Sequence, residues 1–249
     1  MKKCYLFAIL LLICGAIYAD ELEDHPDTLG GSLLNIDADR LFVSLGSHCE
    51  AAVALNENDL RIRAFPFDWL LSSSHEQFIS LIDNDFLFLT NEDYLIQNPV
   101  YPHVIENNYY EIEFRHDWPF SDLVTTPLRY REQLDALQKK YQRRIERFRQ
   151  LRECSKKVFF VRAAFEYLNE PNPYWRREGI EMITAAQAQE LREALDRYFP
   201  GLDFTLVIVN YREENAPVIS GIDGVIEFKI RKSDKQVDYA NLAINLLQR

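Results

Sequence analysis

Three largely apolar runs lie along the chain and predict buried strands: LFVSL (41–45), KVFFVRA (157–163) and FTLVIVN (204–210). Apolar runs of about four to eight residues, bounded by polar segments, are typical of strands that are buried on both faces of a sheet. Two other segments alternate between apolar and polar residues. VIEFKI (225–230) therefore predicts an outer or edge strand, and YYEIEF (109–114) predicts a strand that leads to His116 and Asp117.

A different period, of three and four residues, marks the helices. The clearest covers Leu128 to Glu153, where the apolar side chains are Tyr130, Leu134, Leu137, Tyr141, Ile145, Phe148 and Leu151. Further helices are predicted over 48–56, 74–84, 185–199 (with Thr184 as the N-cap) and 239–248. The alternation of strands and helices predicts an α/β fold with a layered, partly parallel sheet flanked by helices in a single domain.

The ends of the predicted strands carry polar residues. Cys49 follows the first strand, His116-Asp117 follows 109–114, and Arg162 and Asn210 lie near the ends of the next two runs. Ligands of open α/β sheets bind outside the carboxyl ends of the strands. We therefore expect a functional site at that edge, with Cys49 as its most reactive group.

The N-terminus has the pattern of a secretory signal peptide over residues 1–19. Lys2 and Lys3 precede a short apolar stretch, and small residues stand near a cut after Ala19. An uncleaved anchor and lipidation at Cys14 are the alternatives. Residues 20–38 are polar with a Gly-Gly break and predict a linker, which leaves 39–249 as the folded domain. The expected location is secreted or periplasmic, with no membrane contact after cleavage.

Charge and composition exclude some partners. The formal net charge is −11, and removal of Lys2 and Lys3 makes it −11 − 2 = −13. An acidic domain lacks the basic surface that non-specific nucleic-acid binding requires, so no nucleic-acid partner is expected. Metal-ligand spacings are not evident, so we expect neither a metal nor a cofactor.

Cys49 has two competing explanations. Of the 4 cysteines, Cys4 and Cys14 fall in the predicted signal peptide, so Cys49 and Cys154 remain and could form a disulfide in an oxidising compartment. Alternatively, Ser47 and Glu50 form a capping-box pattern that starts a helix at His48 and places the thiol in its first turn. The helix dipole would lower the pKa of a thiol there, and the nearby backbone amides could stabilise an oxyanion.

A thiol nucleophile needs a base and a group that orients it. The chain has five histidines: His25, His48, His75, His103 and His116. We favour His116 as the base because it ends a predicted strand, and we set His48 aside because adjacent residues on a helix do not face each other. The orienting group could be Asp68 in the apolar FPFDWLL segment, Asp117 or Asn210.

Five segments together resemble a known family. SLGSHCEAAVAL, RAFPFDWL, FRHDW, YQRRIERF and KVFFVR are similar to the bacterial and plant domain-of-unknown-function family labelled "putative papain-like cysteine peptidase", over about residues 41–215. Its members share an SLG-x-x-C start, a PFDW block and an HD pair. The resemblance implies a papain-like fold for 39–249 and gives Cys49, Asp68, His116 and Asp117 as its matching residues.

The resulting functional hypothesis is a peptidase or other thiol hydrolase with a Cys-His-Asp/Asn arrangement, acting on a peptide or small acyl substrate. One alternative is an acyl or polysaccharide-modifying transferase that uses the same thiol. Its phosphate-bearing donor could bind the basic face within Lys139–Arg152, although such a face is also typical of a solvated helix. The other alternative is a non-catalytic exported binding domain with a Cys49–Cys154 disulfide.

Overall fold

The computed structural model describes residues 39–72, 74–98, 104–117, 127–167, 179–212, 218–231 and 235–247. The predicted signal peptide and linker lie outside these residues. In the described part of the chain, no helix is both long and apolar enough to cross a membrane. The strands are β1 (Arg40–Ser44), β2 (Leu71–Ser72), β3 (Leu95–Gln97), β4 (Ile105–Asn107), β5 (Ile112–Phe114), β6 (Lys157–Ala163), β7 (Phe165–Tyr167), β8 (Gly179–Glu181), β9 (Phe204–Tyr211) and β10 (Val225–Ile230). The helices are α1 (Glu50–Glu57), α2 (His75–Asp83), α3 (Pro127–Gln150), α4 (Ala185–Tyr198) and α5 (Lys235–Leu247).

A parallel sheet of four strands is the centre of the fold. Its order is β1-β6-β9-β10, and each neighbouring pair is parallel. The apolar runs supply the first three strands, and the alternating 225–230 segment lies at the edge, as the sequence predicts. The α/β fold class is confirmed.

Both faces of this sheet are buried, which explains why β1, β6 and β9 are largely apolar instead of alternating. On one face, Val43, Phe160 and Leu206 pack against Phe67 and the apolar sides of α2, α3 and α4. On the other face, Phe42, Phe159, Val207 and their neighbours pack against α1 and α5. Helices therefore cover the sheet on both sides, in three layers.

A second sheet is antiparallel, with the order β2-β5-β4-β3. The strand predicted over 109–114 is only Ile112–Phe114, and it belongs to this sheet. The prediction that His116 and Asp117 lie at the carboxyl edge of the parallel sheet is therefore wrong. The segment 97–108, for which the sequence predicted no strand, contains β4 and the end of β3. Strands of two or three residues are too short to show a period of two.

Most helices agree with their predicted positions. α3 and a following 3-10 turn, Leu151–Glu153, cover the predicted 128–153. Thr184 caps α4 in a capping box with Gln187, and the Ser74 hydroxyl accepts from the Gln77 N–H at the start of α2. Two helices begin elsewhere: α5 begins at Lys235, four residues before the predicted 239, and α1 begins two residues later than expected. The start of α1 decides the geometry around Cys49.

Candidate functional site

The turn between β1 and α1 is held by backbone and hydroxyl contacts. Gly46 and Ser47 both have positive φ, at +66° and +79°. The Ser47 hydroxyl donates to the Ala163 carbonyl at 2.6 Å, and the Ser72 N–H donates to the Ser47 carbonyl at 3.1 Å. Ser47 is therefore not the N-cap, and the predicted capping box with Glu50 is wrong. Its hydroxyl instead ties the turn to the end of β6.

Cys49 itself is the N-cap residue of α1, and its side chain makes no capping hydrogen bond. The thiol is half-buried, and its Sγ lies 3.1 Å from Nδ1 of His48. The argument that set His48 aside fails because His48 precedes the helix, in a bend where adjacent side chains can meet. The structure thus places the His48 imidazole against the thiol at the positive end of a helix, whereas the base that the sequence favours, His116, stays a prediction.

The predicted bridge to Cys154 is absent, since both cysteines are thiols in the structure. Parallel pairing matches Arg40 with Lys157 and Ser44 with Val161, so Cys154 precedes the amino end of β6 while Cys49 follows the carboxyl end of β1. The strands between them rise about 3.3 Å per residue, whereas a disulfide needs Cα atoms within about 7 Å. The disulfide hypothesis is therefore wrong for this fold.

Asp68 lies in a turn and is 1% exposed. Its Oδ2 accepts from Nε of Arg61 at 2.8 Å and from the Phe65 N–H at 3.1 Å. A buried carboxylate requires such partners, and the pair with Arg61 supplies the opposite charge. Asp68 therefore holds the Arg61 side chain and the turn of the PFDW block together.

His116 packs its ring edge-on against Trp69, with the ring centroids 5.4 Å apart. Burial lowers the pKa of His116 below its ordinary value; the Asp117 charge acts in the opposite direction and Arg115 reinforces the lowering. The imidazole is therefore neutral at pH 7, which is the form that can accept a proton.

Asp117 contacts α3 rather than the imidazole. Its carboxylate accepts from Lys140 Nζ at 2.9 Å and from the Tyr141 hydroxyl at 2.6 Å. Burial, followed by the Asp117 charge, holds the pKa of Tyr141 well above its ordinary range, so this hydroxyl remains a donor.

Asn210 is bound elsewhere. Its amide exchanges two hydrogen bonds with the Ile183 backbone and donates to Glu227. Because these contacts tie β9 to the segment before α4, Asn210 has a structural role, and the Cys-His-Asn order suggested by the sequence is not assembled in this structure.

The basic residues of α3 do not form the single solvated face that the sequence allowed. Lys139 and Arg143 are exposed, whereas Arg144 and Arg147 are buried and Lys140 is largely so. Lys140, Arg144 and Arg147, the three that are not exposed, are spaced by four and three residues. This spacing places them on one face of a helix, which could have been inferred from the sequence. Arg147 donates to the Ala64 carbonyl at 2.9 Å, which joins α3 to the segment before Asp68.

The structure thus brings Asp68, His116 and Asp117 into one region. Trp69, the neighbour of Asp68 in the chain, contacts the His116 ring, and Tyr141 of α3 donates to Asp117. The turn before Cys49 touches the same region, because Gly46 lies against the Phe67 carbonyl. Arg162 stabilises this turn, because it donates to the Leu45 carbonyl at 2.7 Å and to the Ser72 hydroxyl at 2.9 Å. Among the described residues, no group of three His, Cys, Asp or Glu side chains could hold a metal ion.

Comparison with known proteins finds one relative and one family. The chain is 28% identical over 163 residues to "Uncharacterized protein R408" of Acanthamoeba polyphaga mimivirus, an alignment that covers 58% of this chain and 69% of the relative. No solved structure matches. The model of the family described as "Putative papain-like cysteine peptidase (DUF1796)" matches residues 40–214, which include β1, the PFDW block, the HD pair and α3. The chain belongs to this family.

Proposed function

We propose that the chain is a cysteine-dependent hydrolase that cleaves a peptide or other acyl bond, with Cys49 as the nucleophile. The observation that carries the proposal is the 3.1 Å contact between Cys49 Sγ and His48 Nδ1 at the start of α1. A thiol next to an imidazole and at a helix N-terminus has a lowered pKa, so a larger fraction of it is thiolate at neutral pH.

The chemistry follows from this arrangement. The imidazole takes the thiol proton, the thiolate attacks the acyl carbon, and the leaving amine or alcohol departs with that proton. Water then attacks the thioester and releases the acid and the thiol. The first turn of α1 supplies backbone N–H groups that lack intrahelical acceptors, and these favour the oxyanion of both tetrahedral intermediates.

His116 is the second candidate base and the one that the family motif favours. Its lowered pKa supports a proton-accepting role. Asp68 acts on it indirectly, since the Asp68 carboxylate fixes Arg61, and the Arg61 guanidinium lies 5.6 Å from the Trp69 ring that contacts His116. Asp117 contributes a negative charge beside the ring. In this proposal His48 takes the thiol proton and returns it to the leaving group, and His116 is the base that takes a proton from the water that attacks the thioester.

The proposed setting is outside the cytoplasm, secreted or periplasmic, on the basis of the signal-peptide pattern over 1–19. An oxidising compartment favours disulfides, but the partner that the sequence offers for Cys49 lies at the other end of the sheet. The thiol can therefore persist there as a nucleophile.

The test combines iodoacetamide labelling with hydrolysis of p-nitrophenyl acetate as an acyl probe. We expect Cys49 to label with a midpoint below about 8.5, the value of an ordinary thiol, and we expect His48→Gln to raise that midpoint. Cys49→Ser should abolish ester hydrolysis. His116→Gln should lower the rate by roughly 10²–10⁴-fold without moving the labelling midpoint, as loss of a general acid–base does.

Cys154→Ser is the matched control, because it removes the other thiol of the described structure and should leave both readouts unchanged. If Cys49 labels at or above the midpoint of Cys154, the thiol is not activated and the proposed function fails. Unchanged hydrolysis in Cys49→Ser would exclude Cys49 as the nucleophile.

A further inference from the structure

Tyr239 is a buried tyrosine near the start of α5. Its side chain belongs to a residue that is 6% exposed, and its hydroxyl has no hydrogen-bond partner among the residues that the structure describes. A buried hydroxyl that donates to nothing costs free energy, because it has lost its hydrogen bonds to water. Such a donor is suited to a role that begins only when a negative charge forms beside it.

The start of α5 lies at the carboxyl edge of the parallel sheet, where the turn before Cys49 also lies. The Asp238 carboxylate accepts from the backbone N–H of Arg231 at 2.6 Å and from its guanidinium Nε at 3.2 Å, and Arg231 directly follows β10. α5 packs against both β10 and α1. The backbone of Tyr239, the residue after Asp238, is therefore fixed at this edge.

Tyr211 connects the same edge to the start of α1. It ends β9, and its hydroxyl donates to Oε2 of Glu50 at 3.4 Å. Glu50 is the first residue of α1 and directly follows Cys49. Tyr211 and Tyr239 belong to one buried core, which also contains Ala51 of α1. Two tyrosines of this core therefore border the helix start that carries the thiol.

The charges that act on the Tyr239 hydroxyl come from this border. Burial, followed by the charges of Glu50, Tyr211 and Cys49, holds the pKa of Tyr239 well above its ordinary range. The hydroxyl therefore keeps its proton throughout the pH range in which a thiol titrates, and it stays available as a donor. Glu50 already accepts from Tyr211, so the charge that is new during a reaction is the one at Cys49.

We propose that the Tyr239 hydroxyl stabilises the negative charge that forms at Cys49, as a further residue of the site. When the S–H proton moves to Nδ1 of His48, the electron pair stays on Sγ, and a thiolate replaces a neutral thiol. A donor that has no partner in the resting state and gains one in the charged state favours the charged state selectively. The inference rests on the proposed function in one respect, since Cys49 must react as a thiolate.

Iodoacetamide labelling of Tyr239→Phe, followed on the Cys49 peptide by mass spectrometry, tests the inference. We expect the labelling midpoint to rise by about one pH unit, which corresponds to the loss of a hydrogen bond to a charged group. Above both midpoints the variant and the unaltered protein should label at similar rates, because only the thiolate fraction differs. Hydrolysis of p-nitrophenyl acetate at pH 7 should fall by about threefold to tenfold, since the less acidic thiol is also the stronger nucleophile.

Tyr110→Phe is the matched control, because it removes a buried hydroxyl from the core on the other face of the parallel sheet and should leave the midpoint unchanged. An unchanged midpoint in Tyr239→Phe overturns the inference. So does slower labelling at every pH, which would indicate a displaced thiol rather than a less acidic one. If Cys49 of the unaltered protein labels no lower than Cys154, the proposed function fails, whereas the comparison with Tyr239→Phe still decides whether the hydroxyl acts on Cys49.

Discussion

At the scale of single residues, Gly46 has the least room for a side chain among the glycines that the structure describes. Its φ is +66°, and a Cβ atom there would lie 2.6 Å from the Phe67 carbonyl oxygen, which is backbone and cannot move alone. We therefore expect Gly46→Ala to destabilise the fold by about 2–4 kcal/mol, from left-handed strain together with the clash. Urea unfolding followed by tryptophan fluorescence measures the change.

Gly201→Ala is the matched control, because Gly201 has φ +85° and no atom within 4 Å of the added Cβ. Gly201→Ala should lower the free energy of unfolding by about 1–2 kcal/mol, which is the strain of the left-handed conformation alone. Equal losses in the two variants would show that the contact between Gly46 and Phe67 does not hold the turn before Cys49 in place.

Tyr239 is a second residue whose environment makes a clear prediction. It is buried in α5, and its hydroxyl has no hydrogen-bond partner. Burial, then the charge of Glu50, holds its pKa well above the ordinary range, so the hydroxyl stays protonated. Tyr239→Phe removes an unsatisfied polar group, and we expect it to stabilise the protein by about 1 kcal/mol.

Tyr211→Phe is the comparison, because the Tyr211 hydroxyl donates to Glu50. It should destabilise by about 0.5–1.5 kcal/mol, the net value of a typical hydrogen bond. The free energies of unfolding of Tyr239→Phe and Tyr211→Phe are both measured by urea unfolding at pH 7. Destabilisation by Tyr239→Phe would contradict the structure around α5.

At the scale of elements, the sequence predicted the long strands of the parallel sheet and missed most of the short strands of the antiparallel sheet. β1, β6 and β9 are buried on both faces, so their composition is sufficient to identify them. β2 to β5 have two or three residues each, and their pairing depends on contacts between distant segments. The start of α1 was misplaced because the Ser47 hydroxyl bonds to Ala163, a partner 116 residues away. The contact of His48 with Cys49 was missed for the same reason, since it depends on where the helix begins.

The pairing of β4 with β5 places Glu106 directly opposite Glu113. Burial, reinforced by the charges of Glu113 and Glu111, raises the pKa of Glu106 from 4.5 to about 7. Between pH 4.5 and about 7 the folded state therefore keeps a proton on Glu106 that the unfolded chain has lost. The contribution of Glu106 to the free energy of unfolding is complete below pH 4.5 and is lost as the pH rises through about 7.

Glu106→Gln should remove that decline and make the protein more stable than the original at pH 8 by about 1–3 kcal/mol. The measurement is the urea midpoint between pH 4 and pH 8. Glu111→Gln, a change at an exposed residue, is the control and should keep most of the slope. An unchanged slope in Glu106→Gln would assign the pH dependence to another group.

At the scale of the whole molecule, the two sheets explain how distant motifs meet. The SLG-x-x-C turn follows the parallel sheet, and the HD pair follows the antiparallel one. The PFDW turn contacts both, through Phe67 to Gly46 and through Trp69 to His116. The family resemblance grouped these residues, but the sequence could not show that Asp117 pairs with α3, because that contact depends on how the sheets and α3 pack.

The parallel sheet also separates the two cysteines of the described structure, which gives a final prediction. Cys49 and Cys154 lie at opposite ends of paired strands β1 and β6. Mild oxidation of the native protein should therefore yield no Cys49–Cys154 cross-linked peptide by mass spectrometry, because closing the bond would require the sheet to unfold. The same treatment in urea should produce that peptide. Its appearance in the native monomer would mean that the strands are not paired in this register, and it would also remove the thiol on which the proposed hydrolase depends.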